Sequence, residues 1–151
     1  MSINGVPIKL IAPDERGNLT QTETPVFATV RRCPALLGAL KAINRASIAE
    51  AVATKRARAE AAGVDEAEGF DQLDAAAAAA GEAADALADA TAAVFAAIRA
   101  FVVCGFTGAG YTEEQAQRYA NLVPADRLNE LRQACQLGCG PLDFSKPPKG
   151  G

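Results

Sequence analysis

The stretch GFTGAGYT, residues 105–112, has nearly the spacing of a phosphate-binding P-loop, in which a lysine follows the last glycine. A P-loop also follows a strand, and its lysine reaches the phosphates of a nucleotide. Here Tyr111 holds the lysine position, and the residues before Gly105 continue a helical pattern. We therefore interpret the stretch as a link between two helices, with Gly105 at the end of the first.

The next helix has a start signal of its own. Thr112 and Gln115 form a capping-box pattern, in which each side chain binds a free backbone N–H of the other residue. A weak anion site at this helix N-terminus remains an alternative, but Glu113 and Glu114 oppose it because they would repel an anion.

Four cysteines are the next candidates for chemistry: Cys33, Cys104, Cys135 and Cys139. The last two stand in C-x₃-C spacing, whereas structural zinc sites commonly use C-x₂-C, and both other cysteines would have to converge on them. Cys104 also fits a small buried apolar residue at a helix end. We predict no metal site, and a small Cys-based metal-binding or regulatory module remains an alternative function.

The chain has no histidine. This removes the commonest general base, the usual catalytic triads and any histidine-containing metal site. The net charge is −3, so bulk charge predicts no nucleic-acid partner. We predict a protein that is not an enzyme, with no catalytic residue, no cofactor-binding residue and no cofactor.

Residues 1–12 lack the basic start of a signal peptide. The most apolar window, Ala90–Val103, is too short to span a bilayer and contains Arg99. We expect a cytoplasmic protein without a membrane partner, in the host cytoplasm if a phage encodes it.

The pattern of residue types predicts one helical domain over residues 1–145 and a flexible tail over 146–151. A β-ribbon is expected within 1–32, with extended segments at 3–11 and 24–32. Leu36, Leu37, Leu40, Ile43, Ile48 and Val52 recur along a helix over 34–62, which Gly63 should end. Asp65 and Glu68 should then cap a long helix over 65–104. Two short helices are expected within 112–138, and Leu142 and Phe144 are candidates to dock on the body.

The long helix carries a heptad seam, in which apolar or small residues alternate in steps of three and four. Its members are Phe70, Leu73, Ala77, Ala80, Ala84, Leu87, Thr91, Val94, Ile98 and Phe101. If the first helix covers this seam, the seam is core; if part of it stays open, it is a docking strip for another helix. We predict protein binding at Phe70, Leu73, Ala77, Ala80, Ala84 and Leu87, with a helical client or a second copy as the partner.

Charge favours pairing of the two long helices in an antiparallel hairpin. The first helix is rich in lysine and arginine, and the second is rich in aspartate and glutamate. A short connection would set Lys55–Arg58 opposite Glu68–Asp74, and Lys41 and Arg45 near the acidic residues 82–89. We expect these pairs to help select the register, although each exposed pair contributes only about 0–1 kcal/mol.

In its organisation the chain resembles the small tail assembly chaperones of tailed bacteriophages. The resemblance lies in an extended amino-terminal ribbon (INGVPIKLI and TPVFATVRR), a helical body, a late helix pair (GYTEEQAQRYANLVPADRLNELRQAC) and the tail SKPPKGG. It implies a non-structural factor that binds the tape-measure protein, a long helical chain, while the tail tube polymerises. Many genes of this family also make a longer product by ribosomal frameshifting.

Taken together, these features predict a mainly α protein: a long antiparallel helical hairpin with a short N-terminal β-ribbon and two short C-terminal helices. The expected function is non-enzymatic protein binding of the tail-assembly-chaperone kind. A structural adaptor subunit of a larger, virion-type assembly is the second alternative beside the metal-binding module.

Overall fold

The computed structural model describes residues 5–12, 15–18, 21–138 and 140–144, which form a mainly helical chain with a short β-sheet. The strands are β1 (Gly5–Ala12), β2 (Gln21–Glu23), β3 (Val26–Ala28) and β4 (Leu142–Asp143). The helices are α1 (Ala35–Glu66), α2 (Phe70–Gly108), α3 (Glu113–Leu122) and α4 (Leu128–Leu137), and a single 3-10 turn spans Ala125–Arg127. The predicted mainly α class with a short N-terminal β-sheet is confirmed, and the helices found are consistent with a long helical hairpin followed by two short C-terminal helices. The expected tail over 146–151 lies outside the described residues.

The amino-terminal ribbon is antiparallel, and β1 is its central strand. β2 and β3 pair with β1 in one common register, since Leu10 faces Glu23 and Gly5 faces Ala28. Between them the Ile8 N–H donates to the Pro25 carbonyl over 2.9 Å. β2 and β3 are therefore two parts of one strand. The predicted second segment at 24–32 is displaced, because the chain turns after Ala28.

The carboxyl end of the chain completes the sheet. β4 pairs with β1 in parallel, with Leu142 beside Ile8, and the Phe144 N–H donates to the Lys9 carbonyl over 3.0 Å. Since the β2–β3 strand occupies one edge of β1, β4 takes the other edge. Leu142 and Phe144 dock as expected, but their pairing as a strand has no signal in so short a segment.

The turn between the two long helices lies later than the sequence indicated. Gly63 lies inside α1, which continues to Glu66, and Gly69 adopts the left-handed φ of 89° at the turn. The predicted stop at Gly63 and the predicted cap at Asp65 are therefore wrong. A single glycine costs a helix only about 1 kcal/mol, and the Gln72 side chain accepts from the Glu68 N–H instead.

α2 is one uninterrupted helix of 39 residues that passes through the whole alanine-rich stretch. It ends at Gly108 rather than near Gly105, so that the predicted end at 104 is wrong. Gly105 lies inside the helix, and its lack of a side chain gives room for the Phe27 ring, with which a Cβ would collide.

The chain divides into two compact units. One comprises residues 1–40 and 99–151 and is called the ribbon unit; the other comprises residues 41–98 and is called the hairpin unit. Each long helix contributes residues to both. That residues 1–145 behave as one domain stays a prediction.

The large apolar core lies in the ribbon unit. Its largest fully buried side chains are Phe27, Phe101, Phe106, Ile8, Leu10, Leu36, Leu131, Val6 and Cys135. The Phe27 ring lies 5.4 Å from that of Phe101 and 5.2 Å from that of Phe106, between ring centroids. Aromatic pairs at such distances add about 0.5–1.5 kcal/mol beyond the area they bury.

The hairpin unit has little core of its own. Among its residues only Ile43 and Ala83 are buried apolar side chains, at 2% and 0% exposure. Most residues of the hairpin unit are therefore exposed or half-buried.

Candidate protein-docking site

The six predicted protein-binding residues lie along α2 in the hairpin unit, and most of them face solvent. Phe70 is 85% exposed and Leu73 40% exposed. Ala77 and Ala84 are also exposed, whereas Ala80 and Leu87 are half-buried. The predicted seam is thus open at its amino-terminal end. Its role in binding stays a prediction, but the exposure meets the condition under which the seam would dock a helix.

The buried and half-buried residues of α2 recur about every 3.6 residues, as on one side of a straight helix, and only some of them belong to the predicted heptad seam. Ala83 is fully buried while Ala84 is exposed, although Ala84 is the seam residue. A heptad repeat drifts about 20° around a straight α-helix for each seven residues. Over the four heptads from Ile98 back to Phe70 the drift reaches roughly 80°, which carries Phe70 out to solvent.

α1 exposes two apolar residues that belong to its predicted helical pattern. Ile48 and Val52 are 66% and 63% exposed, whereas Ile43 is buried. The step from Ile43 to Ile48 is five residues, which is a rotation of about 140° beyond a full turn. This five-residue step is the sequence signal that Ile48 and Val52 lie on a different side of α1 from Ile43. Leu37, in the ribbon unit, is also exposed, at 47%.

The exposed side of α1 in the hairpin unit carries a second heptad pattern. It consists of Lys41, Arg45, Ile48, Val52, Lys55 and Ala59, all exposed and separated by alternating steps of four and three residues. We call this set the basic outer stripe. Its centre is apolar and its ends are cationic.

The exposed side of α2 carries a matching pattern of smaller residues. It consists of Phe70, Asp74, Ala77, Gly81, Ala84 and Ala88, again all exposed and in alternating steps of four and three. We call this set the alanine outer stripe. Phe95, 62% exposed, lies seven residues beyond its last member, so that exposed aromatic rings stand at both ends of an almost smooth surface.

The expected ion pairs between the two helices are not formed. Residues 41–59 hold five basic side chains and one acidic side chain, and residues 70–98 hold five acidic and no basic ones. Residues 41–98 are described in full and form no ion pair shorter than 4 Å, whereas Arg118 pairs with Glu23 and Arg127 with Glu130 in the ribbon unit. The charges of the hairpin thus remain exposed, because long side chains on solvated helices gain little by pairing.

The GFTGAGYT stretch serves the core of the ribbon unit. Tyr111, in the lysine position of the P-loop pattern, packs edge-on against Phe106 and Tyr119, and its hydroxyl oxygen accepts from the Val26 N–H over 3.1 Å. The Thr112 and Gln115 capping box is present as predicted. The interpretation of this stretch as a link between helices is confirmed for residues 109–112, and residues 105–108 belong to α2 itself.

The side chains of Cys33 and Cys104 are neighbours in the ribbon unit, and each is half-buried. Burial is the main cause that raises the pKa of the Cys104 thiol above its ordinary value, and the neighbouring Cys33 thiol raises it further. Cys135 is fully buried in α4, and burial raises the pKa of its thiol to about 11. Cys139 lies outside the described residues. Among the residues that are described, no group of three or more potential ligands is placed to hold a metal ion.

Arg127 is a buried cation, 8% exposed, that ties the carboxyl end to the body. It donates to both carboxylate oxygens of Glu130 and to the Asp143 carbonyl oxygen, and its guanidinium lies 5.0 Å from the centre of the Phe144 ring. The hydrogen bond from Arg127 lowers the pKa of Glu130. Glu130 also lines a cleft of about 350 Å³ with Gln133, Leu137 and Pro141, but its charge is already compensated there.

α2 is long and apolar enough to cross a membrane by length and composition, with a window of mean hydropathy 1.8 of which 11% is buried. The apolar stretch is thus longer than the window Ala90–Val103 suggested. Core helices of soluble proteins have the same length and composition, so this property assigns α2 to no compartment. The absence of a membrane partner stays a prediction.

Comparison with protein-family models, with curated proteins and with solved structures finds no match to this chain. Its function is therefore inferred from the exposed stripes of the hairpin and from the chemistry of the residues around them.

Proposed function

We propose that this chain is a non-enzymatic protein-binding factor that holds a long helical partner along the alanine outer stripe of α2. The observation that carries the proposal is the exposure of Phe70 and Phe95, at 85% and 62%, at the two ends of a row of small residues. Scattered apolar residues are normal on a protein surface, but a continuous apolar strip marks an interaction site.

The small side chains of the stripe favour a helix as the partner. Ala77, Gly81 and Ala84 leave a shallow surface on which a second helix can approach closely, and their heptad spacing matches the knobs of such a helix. Phe70 and Phe95 lie about 37 Å apart along α2, at 1.5 Å per residue. A partner that covers both must therefore be a long helix.

The client that the resemblance to phage tail assembly chaperones implies is of this kind. The tape-measure protein is a long helical chain that must be kept soluble while the tail tube grows, and a rod with an open apolar strip suits that task. Two acidic side chains, Asp74 within the stripe and Asp85 beside it, favour a client helix that carries basic side chains near its apolar face.

A peptide-binding titration tests the proposal. The probe is a fluorescent helical peptide of about four heptads with leucine and alanine at the core positions and flanking lysines, and the readout is its anisotropy on titration with the full chain. Phe70→Ser/Phe95→Ser should weaken binding at least tenfold, since each ring buries a large apolar area. Leu137→Ser is the matched control, because Leu137 is 74% exposed in the ribbon unit.

Equal affinity of the wild type and Phe70→Ser/Phe95→Ser would overturn the proposal, as would an equal loss in Leu137→Ser. If the protein is phage-encoded, mass spectrometry of mature particles separates the two assembly roles. A chaperone is absent from them, whereas a structural adaptor is present in stoichiometric amounts.

A further inference from the structure

The two outer stripes of the hairpin unit complement each other in size and charge. The basic outer stripe has the bulky Ile48 and Val52 at its centre, and the alanine outer stripe has Ala77 and Gly81 at its centre. All four residues are exposed. A bulky residue on one helix packs best into the hole that small residues leave on its neighbour.

The stripes also match in register when the two helices run antiparallel. If Lys55 faces Asp74, the common heptad spacing places Val52 opposite Ala77 and Ile48 opposite Gly81. The same alignment brings Ala59 opposite Phe70. Small residues therefore face large ones at every apolar position.

The charges outside this centre agree with the same alignment. Arg45 then lies opposite Ala84 and beside Asp85, and Lys41 lies opposite Ala88 and beside Asp89. None of these four charges forms an ion pair within its own chain among the described residues. Charges that are unused in one copy are thus available to a second.

We propose that the hairpins of separate copies of this chain pack side by side, with the basic outer stripe of one copy antiparallel on the alanine outer stripe of the next. The inference rests on the proposed docking role of the alanine outer stripe and names a second copy as one partner for it. The two stripes are different surfaces of one hairpin, so the contact is head-to-tail and repeats from copy to copy into a ring or an open filament. The client helix and the second copy compete for the same strip.

Charge reversal on the full-length chain tests this contact by sedimentation velocity. The wild type should form species larger than a dimer as concentration rises, and high salt should weaken them because surface charges are screened. Arg45→Glu/Lys55→Glu reverses the basic stripe, and Asp74→Lys/Asp85→Lys reverses the acidic flank. Each variant alone should remain monomeric with an unchanged helical circular dichroism signal.

The decisive sample is an equimolar mixture of the two variants. The stripe that Arg45→Glu/Lys55→Glu makes acidic can pack on the stripe that Asp74→Lys/Asp85→Lys makes basic. The unaltered basic outer stripe of the second variant can likewise pack on the unaltered alanine outer stripe of the first. The mixture should therefore regain the large species, with at least tenfold tighter association than either variant alone. Arg118→Glu, which alters an exposed cation of the ribbon unit, is the control and should associate as the wild type does.

Three results would overturn the inference: a wild type that stays monomeric, association that both reversals leave unchanged, or a mixture that stays monomeric although each variant is folded. Binding of a monomeric wild type to neutral phosphatidylcholine vesicles would assign the strip to a membrane and overturn it too. Peptide binding by a monomeric wild type would retain the proposed function and remove only the self-association. Self-association of a wild type that does not bind the peptide would retain the self-association and remove the proposed binding of a client helix.

Discussion

The Phe27 ring occupies the space in which a side chain at position 105 would lie, so that only glycine fits there. Gly105→Ala should destabilise the fold by at least about 2 kcal/mol, because the core of the ribbon unit has no room for the added methyl group. Chemical denaturation measures the change. The double variant with Phe27→Leu should cost less than the sum of the two single changes, since both alter one contact.

Gly81→Ala is the control for this prediction, because Gly81 lies in the same helix and a Cβ there meets nothing within 4 Å. It should raise the free energy of unfolding by up to about 1 kcal/mol through helix propensity alone. Equal effects of the two alanine substitutions would contradict the packing of Phe27 on Gly105.

Tyr111→Phe should reduce stability by about 1 kcal/mol, because it removes the hydroxyl that accepts from the Val26 N–H while it keeps the ring. The Val26 amide should exchange faster with deuterium, which NMR detects. Tyr119→Phe keeps that hydrogen bond and should leave the Val26 amide protected. Unchanged exchange at Val26 in Tyr111→Phe would show that the hydroxyl has no structural role.

Arg127→Gln should release β4 from β1. The substitution removes the donor to the Asp143 carbonyl and the cation beside the Phe144 ring, so the Phe144 amide, which donates to Lys9, should lose protection from hydrogen exchange. Arg118→Gln removes a partly exposed ion pair with Glu23 and a cation–π contact with Tyr119, neither of which involves β4, and should leave the exchange at residues 142–144 unchanged. The loosened β4 would be seen at residues 142–144, and an unchanged exchange rate there would exclude a tethering role for Arg127.

The buried thiol of Cys135 should make the free energy of unfolding decrease at high pH. Burial raises the pKa of its thiol to about 11 in the folded chain, from 9.0. The folded state therefore holds its proton over a pH range in which the unfolded chain releases it. The resulting stabilisation is complete below about pH 9 and decreases as the pH rises through about 11.

Denaturation at a series of pH values, with Cys135→Ala as the comparison, measures this contribution. The difference between wild type and variant should shrink by about 1–3 kcal/mol between pH 8 and pH 11. A constant difference would mean that the thiol titrates normally.

The sequence predicted well which segments form helices, but it predicted poorly where some helices end and which side of each helix is buried. Helical spacing and the Thr112–Gln115 capping box are local properties, so the helices and the start of α3 were predictable. Gly63 and Gly105 are alike in sequence as helix-ending glycines, and only the position of the Phe27 ring explains Gly105. Tertiary contacts of that kind leave no local signal.

The candidate docking strip was predicted in part. Phe70, Leu73, Ala77 and Ala84 are exposed, but Ala80 and Leu87 turn partly inward. A strict heptad and a straight helix diverge slowly, so the seam is a good guide over two heptads and a poor one over four. The basic outer stripe of α1 was not predicted, because Ile48 and Val52 were grouped with Ile43 in one helical pattern.

The most direct test of the central claim, that the alanine outer stripe binds a helix, is site-specific photo-cross-linking. Benzoylphenylalanine replaces Phe70 in one sample and Leu137, which is also largely exposed, in another, and each is irradiated with the heptad peptide. Mass spectrometry should find peptide adducts at position 70 and at most traces at position 137. Adducts absent from position 70, or equally abundant at both positions, would contradict the claim.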